Sequence, residues 1–486
     1  MNTYTISNTK LNPNRVFILQ KSELEKRLDP EYYGHIYNEY DKKLRLKPFK
    51  KFSHIIKSIN NGFDFRDYKD NGTPYLKVAN IRKGEFRFDK IQYIDFNSSE
   101  ISKNIQLKKG NLLLTRKGTF GYAIALEKDY DFVISSEVFY IELLDNTINP
   151  KFLEIFFNSE IGQAQFDKNK IGAIMGSLSQ EAIRDLKIPF PAQEIQNKVI
   201  ELYSNYIQQK KRNEAEAKKL LSSIDDYLLG ELGINLPEPP ENTLDNRMFT
   251  VSLKEISGGR FDPKLYDNNT QAIRNAIKGT AFNKVKLKEL VAHSVAGDWG
   301  KDEKVELVDY KRCLVIRATE FDNLYNLNLD NSRVKYRLIN SDKLEKIDIQ
   351  VNDLLIEKSG GSPDQPVGRI SIITKNILKT HQIGYSNFIH KIRVDNLKIN
   401  SEYLFCFLKT VHNIKLTDAM QSQTNGIRNL IMSNYFNQII PLPKIEKQKE
   451  IAEHISEIRE QAQKLKDKTE EALKEASKEI EQILLN

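Results

Sequence analysis

Arginine, lysine, asparagine and glutamine recur in turn-rich stretches of this 486-residue chain. The first half carries Lys77, Asn80, Arg82, Lys83 and Arg87, then Lys108, Lys109, Arg116 and Lys117; the second carries Lys311, Arg312 and Arg317, then Arg333, Lys335 and Arg337, then Lys358 and Arg369. Two further stretches are rich in amides and hydroxyls: Gly176-Ser177-Leu178-Ser179-Gln180, and Gln421-Ser422-Gln423-Thr424-Asn425-Gly426-Ile427-Arg428. Guanidinium and ammonium groups suit phosphates and guanine edges, and side-chain amides suit adenine edges. Lys77, Asn80, Arg82, Arg116, Lys117, Ser177 and Gln180 are therefore candidate nucleic-acid contacts in the first half. Arg317, Thr319, Lys358, Ser359, Gln423, Asn425 and Arg428 are the candidates in the second.

The motifs of catalysis are missing. No Gly-x-x-x-x-Gly-Lys-Ser/Thr or Gly-x-Gly-x-x-Gly phosphate loop occurs, and the seven histidines form no His-x-x-x-His pair. Asn149-Pro150-Lys151-Phe152 resembles the Asn-Pro-Pro-Phe motif of adenine methyltransferases but lacks its second proline and any glycine-rich cofactor loop upstream; it fits a helix N-cap. Asp185-Leu186-Lys187 has no paired Pro-Asp element that would make it a nuclease centre. No bound cofactor or metal is expected, and no catalysis by this chain alone. Two cysteines, Cys313 and Cys406, exclude a disulfide framework. No apolar run approaches the ~18 residues that cross a bilayer, and the N-terminus lacks a basic-then-apolar leader, so a cytoplasmic location is expected. A net charge of +8 is mild for this length and leaves a local basic face to decide any nucleic-acid partner.

The elements that must position these residues are written twice. Arg27-Leu28-Asp29-Pro30-Glu31-Tyr32-Tyr33 returns 233 residues later as Arg260-Phe261-Asp262-Pro263-Lys264-Leu265-Tyr266. Tyr75-Leu76-Lys77-Val78-Ala79-Asn80 returns as Leu314-Val315-Ile316-Arg317-Ala318-Thr319. Lys109-Gly110-Asn111-Leu112-Leu113-Leu114-Thr115-Arg116-Lys117-Gly118 is matched 242 residues on by Val351 to Gly360. Ile188-Pro189-Phe190-Pro191-Ala192-Gln193-Glu194-Ile195-Gln196 is matched 252 residues on by Ile440 to Gln448. The conserved order and steadily growing offset imply a duplicated module with extra loop residues in its second copy.

Each copy begins as mixed α and β, with short strands such as Ile91 to Ile94 and Phe132 to Ile134, and with Asn61-Gly62 and Asn71-Gly72 as turn signals. Each then ends in a long charged helix, from about Gln193 to Leu229 and from about Glu446 to Leu484. In the second helix Ile451, Ile455, Ile458, Ala462, Leu465, Thr469, Ala472 and Ala476 keep 4-3 spacing, and Ile480 continues the seam. The first offers Ile195, Val199, Leu202 and Tyr206, then Leu220 and Ile224, around a polar middle. The expected fold is thus α+β, with two tandem mixed domains, each followed by a long helix, and the helices paired as an antiparallel coiled coil. The expected boundaries are 1–191 and 249–443 for the domains, 192–231 and 444–486 for the helices, and 232–248 for a proline-rich linker.

The Arg-x-Asp-Pro-x-x-Tyr opening, the Gly-Asn-Leu-Leu-Leu-Thr-Arg-Lys-Gly strand and turn, and Ile-Pro-Phe-Pro-Ala-Gln-Glu-Ile-Gln, repeated with a long helix after each copy, resemble the DNA-specificity subunit of type I restriction-modification systems. The resemblance spans nearly the whole chain. Glu194 and Glu446 depart from it, each being separated from the following Gln196 and Gln448 by one residue. It implies two target-recognition domains, each reading half of a split site on double-stranded DNA, with the helices as a ruler between them. A ~38-residue helix spans about 57 Å, comparable with half-sites ~34 Å apart on one groove face. It also implies two adenine-methyltransferase (modification) subunits and restriction/translocase subunits as partners. S-adenosylmethionine, ATP and Mg would then belong to those partners, and the apolar helix faces would serve both the coiled coil and subunit contacts. Because the loops of the two copies differ, an asymmetric target is expected. The alternative is a non-enzymatic coiled-coil adaptor that tethers two protein-binding domains.

Overall fold

A computed structural model of the chain describes residues 12, 16–24, 28, 30–95, 106–144, 148–171, 176–241, 243–257, 261–304, 307–322, 326–362, 365–424 and 426–485. Asn425, together with Arg27, Asp29 and Arg260 of the opening motif, lies outside them. The chain divides into two compact units, Met1–Asn213 with Asp467–Asn486, and Glu214–Lys466. Each unit therefore combines one globular part with a portion of both long helices.

In the first unit the central sheet runs in the order Ile56–Asn61, Val138–Leu143, Leu112–Thr115, Ala123–Ala125, with all pairs antiparallel. Leu112, Leu113 and Leu114 are fully buried, so the short apolar run is a central strand covered on both faces. A second sheet pairs Thr73–Leu76 antiparallel with Gln92–Ile94 and parallel with Val133–Ile134. The helix Pro150–Asn158 starts on Asn149, whose side chain accepts from Lys151 N at 2.9 Å, and buries Phe152, Phe156 and Phe157.

The second unit repeats this plan. Its central sheet runs Val291–Ala296, Ile389–Val394, Leu354–Glu357, Ile370–Ile372, and Tyr310–Ile316 stands between Lys335–Asn340 and Ile383–Tyr385. Asn400 caps Ser401–Asn413 as Asn149 caps its counterpart. A third small sheet, Ser359–Gly360, Ile427–Leu430 and Gln421–Thr424, has no equivalent among the named strands of the first unit.

Two details of the repeat differ from expectation. Asn61-Gly62 is not a hairpin turn: Asn61 ends a strand and Gly62 donates to Val138 O at 3.1 Å. The second pair of repeated segments also aligns one residue further along. Leu76 O and Ile316 O accept from Ser135 N and Ser386 N, each at 2.8 Å, so Leu76 matches Ile316 and Asn80 matches Glu320, not Thr319. A one-residue slip exchanges the two faces of a strand, and only the pairing partners reveal it.

The helices span Gln193–Glu231 and Ile445–Leu485, with Gly233 (φ +63°) just past the end of the first. They pair antiparallel in each unit. In the first, Val199 joins one core with Ile480 and Leu484; in the second, Ile224 and Leu228 join one with Ile451, Ile455 and Ile458. Tyr206, Ala217, Ala462 and Thr469 are buried, Leu202, Leu220 and Leu465 are half-buried, and Asn213 Nδ2 donates to Thr469 Oγ1 at 3.0 Å. Ile195 faces outward, 37% exposed. No helix among the described residues is long and apolar enough to cross a membrane.

Candidate nucleic-acid interface

In both units three loops converge on one short turn. In the first, Ser135 N donates to Leu76 O (2.8 Å) and Arg116 N to Glu137 O (2.8 Å), so the turn 135–137 joins the loop after Leu76 to the loop after Thr115. Leu178 N then donates to Arg116 O at 3.0 Å and brings in the loop around Ser177. In the second unit the same three roles fall to Ser386 N to Ile316 O (2.8 Å), Lys358 N to Phe388 O (2.7 Å) and Leu430 N to Lys358 O (2.7 Å). Against each turn lies a glycine with no room for a side chain. A Cβ on Gly62 would stand 2.0 Å from Ile134 O, and one on Gly297 would stand 2.2 Å from Tyr385 O.

Several first-unit candidates support the loops that carry them. Asn80 is buried; its Oδ1 accepts from Lys77 N at 3.0 Å and its Nδ2 donates to Arg87 O at 2.9 Å. Arg82 donates to Ile81 O at 2.9 Å. Arg116 reaches Leu178 O (3.4 Å) and Ser136 O (3.5 Å), with its guanidinium 5.4 Å from the centre of the Phe139 ring. Lys77 Nζ lies 4.2 Å above the Tyr68 ring and donates to its hydroxyl. Lys117 is exposed and bridged through its backbone to Ser177, whose hydroxyl donates to Ile171 O at 3.4 Å. Gln180, half-buried, opens the helix Gln180–Arg184 behind them.

The second unit closes its loops with charge. Arg317 pairs with Glu320 (2.6 Å) and donates to Arg333 O, and Thr319 Oγ1 donates to Glu320 Oε1 at 2.8 Å. Ser359 is buried and donates to Asn429 Oδ1 at 2.7 Å. Arg428 stands 3.7 Å from Asp418, Lys358 is half-buried, and Gln423 is exposed on its strand. Burial, reinforced by the Lys358 charge, pulls the imidazole of nearby His390 down to about 4, so it is neutral near pH 7.

Sequence reasoning missed three groups. Arg369 stands in a basic cluster by sequence, yet its Nε and Nη2 both donate to the buried Glu357 (2.8 Å each) and it donates to Ala318 O and Phe321 O. Its signal is a glutamate within an otherwise apolar strand. Arg337 lies 5.1 Å from the centre of the Trp299 ring and Arg312 3.8 Å from that of Tyr336, two cation-on-ring pairs that only the folded chain assembles. The third is the glutamine of the Pro-x-Pro segments. Gln196 Oε1 accepts from Asn149 N and Gln448 Oε1 from Asn400 N, both at 2.8 Å, and each Nε2 donates back to Pro191 O or Pro443 O. These glutamines lock the start of each long helix to an N-cap. Gln448→Ala would leave the half-buried Asn400 N–H and the Pro443 carbonyl without this partner and is expected to cost ~1–3 kcal/mol, read as a lower denaturant midpoint at unchanged slope.

Among the described residues no group of His, Cys, Asp and Glu could hold a metal ion, and both cysteines are buried.

A duplicated α+β module, each copy presenting a convergent set of polar loops beside a long helix, defines the class. The chain belongs to the type I restriction-modification DNA-specificity family, whose domain model matches residues 49–221 and again 280–475. This family is that of the DNA-binding, non-catalytic specificity subunits. Three solved structures are similar over 90% of this chain. They are the S subunit of a type I system from M. genitalium (13% identity, 95% of that chain, TM-score 0.41), a structure describing complex assembly and conformational transition of a type I system (14%, 96%, 0.49), and the HsdS subunit from Thermoanaerobacter tengcongensis (14%, 95%, 0.35).

Proposed function

We propose that this subunit reads an asymmetric, two-part DNA target, one half per unit, and positions adenine-methyltransferase and restriction subunits on it. S-adenosylmethionine, ATP and Mg would be held by those partners, in the reducing cytoplasm. One observation carries the reading: the same three-loop junction recurs in both units with different side chains at matched positions. Arg116-Lys117 of the first unit is matched by Lys358-Ser359 of the second. An identical backbone frame with altered donors and acceptors suits two unlike half-sites.

The test is to assemble the full chain with its modification subunits and map methylated adenines on random-sequence DNA. Two dissimilar half-sites separated by unread base pairs support the proposal; identical inverted halves or a single continuous site overturn it. In the same assembly Lys117→Ala is expected to weaken all sequences about equally and to reduce the slope of log affinity against log salt by about 1, the behaviour of a phosphate contact.

A further inference from the structure

Both units carry a cavity at the same place in the fold, beside the repeated Pro-x-x-Tyr segment, and the two cavities differ in which charged groups line them. The first, about 770 Å³, lies beside the helix His35–Arg45; the second, about 330 Å³, beside Asn268–Lys278. Several lining positions correspond across the repeat: Asp41 matches Arg274, Arg45 matches Lys278, Ala182 matches Asn434 and Lys187 matches Ile439.

In the first cavity the central carboxylate is paired. Asp41 lies between Arg45, at 2.7 Å, and Lys187, and these two cations hold its carboxyl below the usual carboxylate range against the opposing effect of burial. In the second, a guanidinium replaces that carboxylate and an isoleucine replaces the lysine. Arg274 donates to Leu265 O at 3.2 Å, and among the described residues no carboxylate forms an ion pair with it. Two more polar atoms of lining residues are buried without a hydrogen-bond partner, Asn434 Nδ2 and Gln438 Oε1. Glu255 also lines the cavity, but its carboxylate accepts from the backbone and hydroxyl of Ser252 at 2.9 and 2.6 Å. Ile277, Leu416 and Met420 form an apolar wall, and Tyr266, Lys278 and Asn437 complete the lining.

Burial lowers the pKa of the half-buried Arg274, and the charges of Tyr266 and Asp267 offset this only in part. A planar carboxylate meets a guanidinium through two parallel hydrogen bonds and leaves a lone pair for the Asn434 amide. We infer that this cavity binds the carboxylate of an aliphatic chain, with Arg274 and Asn434 taking the oxygens and the apolar wall taking the chain. Two sources share that chemistry, a free aliphatic acid and an acidic side chain of a partner subunit.

Hexanoate, hexanamide and inorganic phosphate titrated into the full chain by calorimetry test the inference. One saturable hexanoate site is expected, with hexanamide and phosphate at least about tenfold weaker. Arg274→Gln and Asn434→Ala should each weaken hexanoate about tenfold or more, while Asp41→Asn in the other cavity should leave it unchanged. Asn434→Ala keeps the test decisive if Arg274→Gln fails to fold. No saturable hexanoate binding, phosphate binding as tight as hexanoate, or binding indifferent to both variants overturns it. Repeating the titration on the assembled complex assigns the source: loss of the site identifies a partner carboxylate and retention a free acid. DNA methylation is not the readout, so failure here is distinguishable from failure of the specificity reading.

Discussion

Asp353→Ala is expected to destabilise the second unit by about 3–5 kcal/mol, the loss seen when one member of a buried ion pair is removed. Asp353 is fully buried beneath two cations: Lys391 Nζ at 3.2 Å, itself fully buried, and Arg393, which donates through Nε at 2.7 Å and Nη2 at 3.0 Å. Arg393 retains Asp348 at 2.7 Å, and Lys391 retains the carbonyls of Ile347 and Asp348, so the alanine variant leaves Lys391 charged with neutral acceptors alone. Burial already lowers the Lys391 pKa, and Asp353 is the main group opposing it. Removing Asp353 therefore lowers that pKa further. A lysine whose folded pKa lies below its unfolded value binds fewer protons folded than unfolded, so stability rises with pH between the two values. The deficit of the variant should accordingly be largest at neutral pH and shrink toward pH 10. Thermal midpoints measured across that range check this; a deficit that does not change with pH would assign the loss to packing alone.

Gly62→Ala and Gly297→Ala are expected to damage the interface as well as the fold. The added methyl would meet Ile134 O at 2.0 Å and Ser135 O at 2.4 Å in the first unit, and Tyr385 O at 2.2 Å and Ser386 O at 2.3 Å in the second. All four atoms are backbone, so no rotamer change relieves the overlap and the strand end itself must move. Overpacking of this kind costs ~1–3 kcal/mol or more. The displaced atoms begin the turns that join the three loops, so DNA affinity should fall by more than about tenfold in each variant even where the chain remains folded. Gly230→Ala is the contrast. Gly230 lies in the last turn of a helix with nothing within 4 Å of its Cβ position, and the substitution should be neutral or stabilise by up to ~1 kcal/mol. Circular dichroism melts with DNA binding by the assembled complex separate the cases.

The long helices were legible because their information is local and periodic. The 4-3 spacing from Ile451 to Thr469 describes one helix face, and its members are buried or half-buried in the structure. The N-cap Asn149 was legible for the same reason, since an N-cap acts within three residues. The loops were not. Arg116, Arg317 and Arg369 all resemble surface cations by sequence, and only distant partners such as Leu178, Arg333 and Glu357 show which carry a loop and which are free to meet a ligand.

By itself, the sequence determined the duplication, the mixed α and β class, the two charged helices and their apolar seams. These follow from residue order, turn chemistry and hydrophobic period, which act over a few residues. Tertiary structure decided the register of the repeat, the exposure of Lys117 against the enclosure of Asn80, and the exchange of an ion-paired Asp41 for an Arg274 that donates to a backbone carbonyl at one place in the fold. Those depend on which groups stand within about 3 Å after strands have paired, and electrostatic and hydrogen-bond energies are set by such distances and by burial, not by position along the chain.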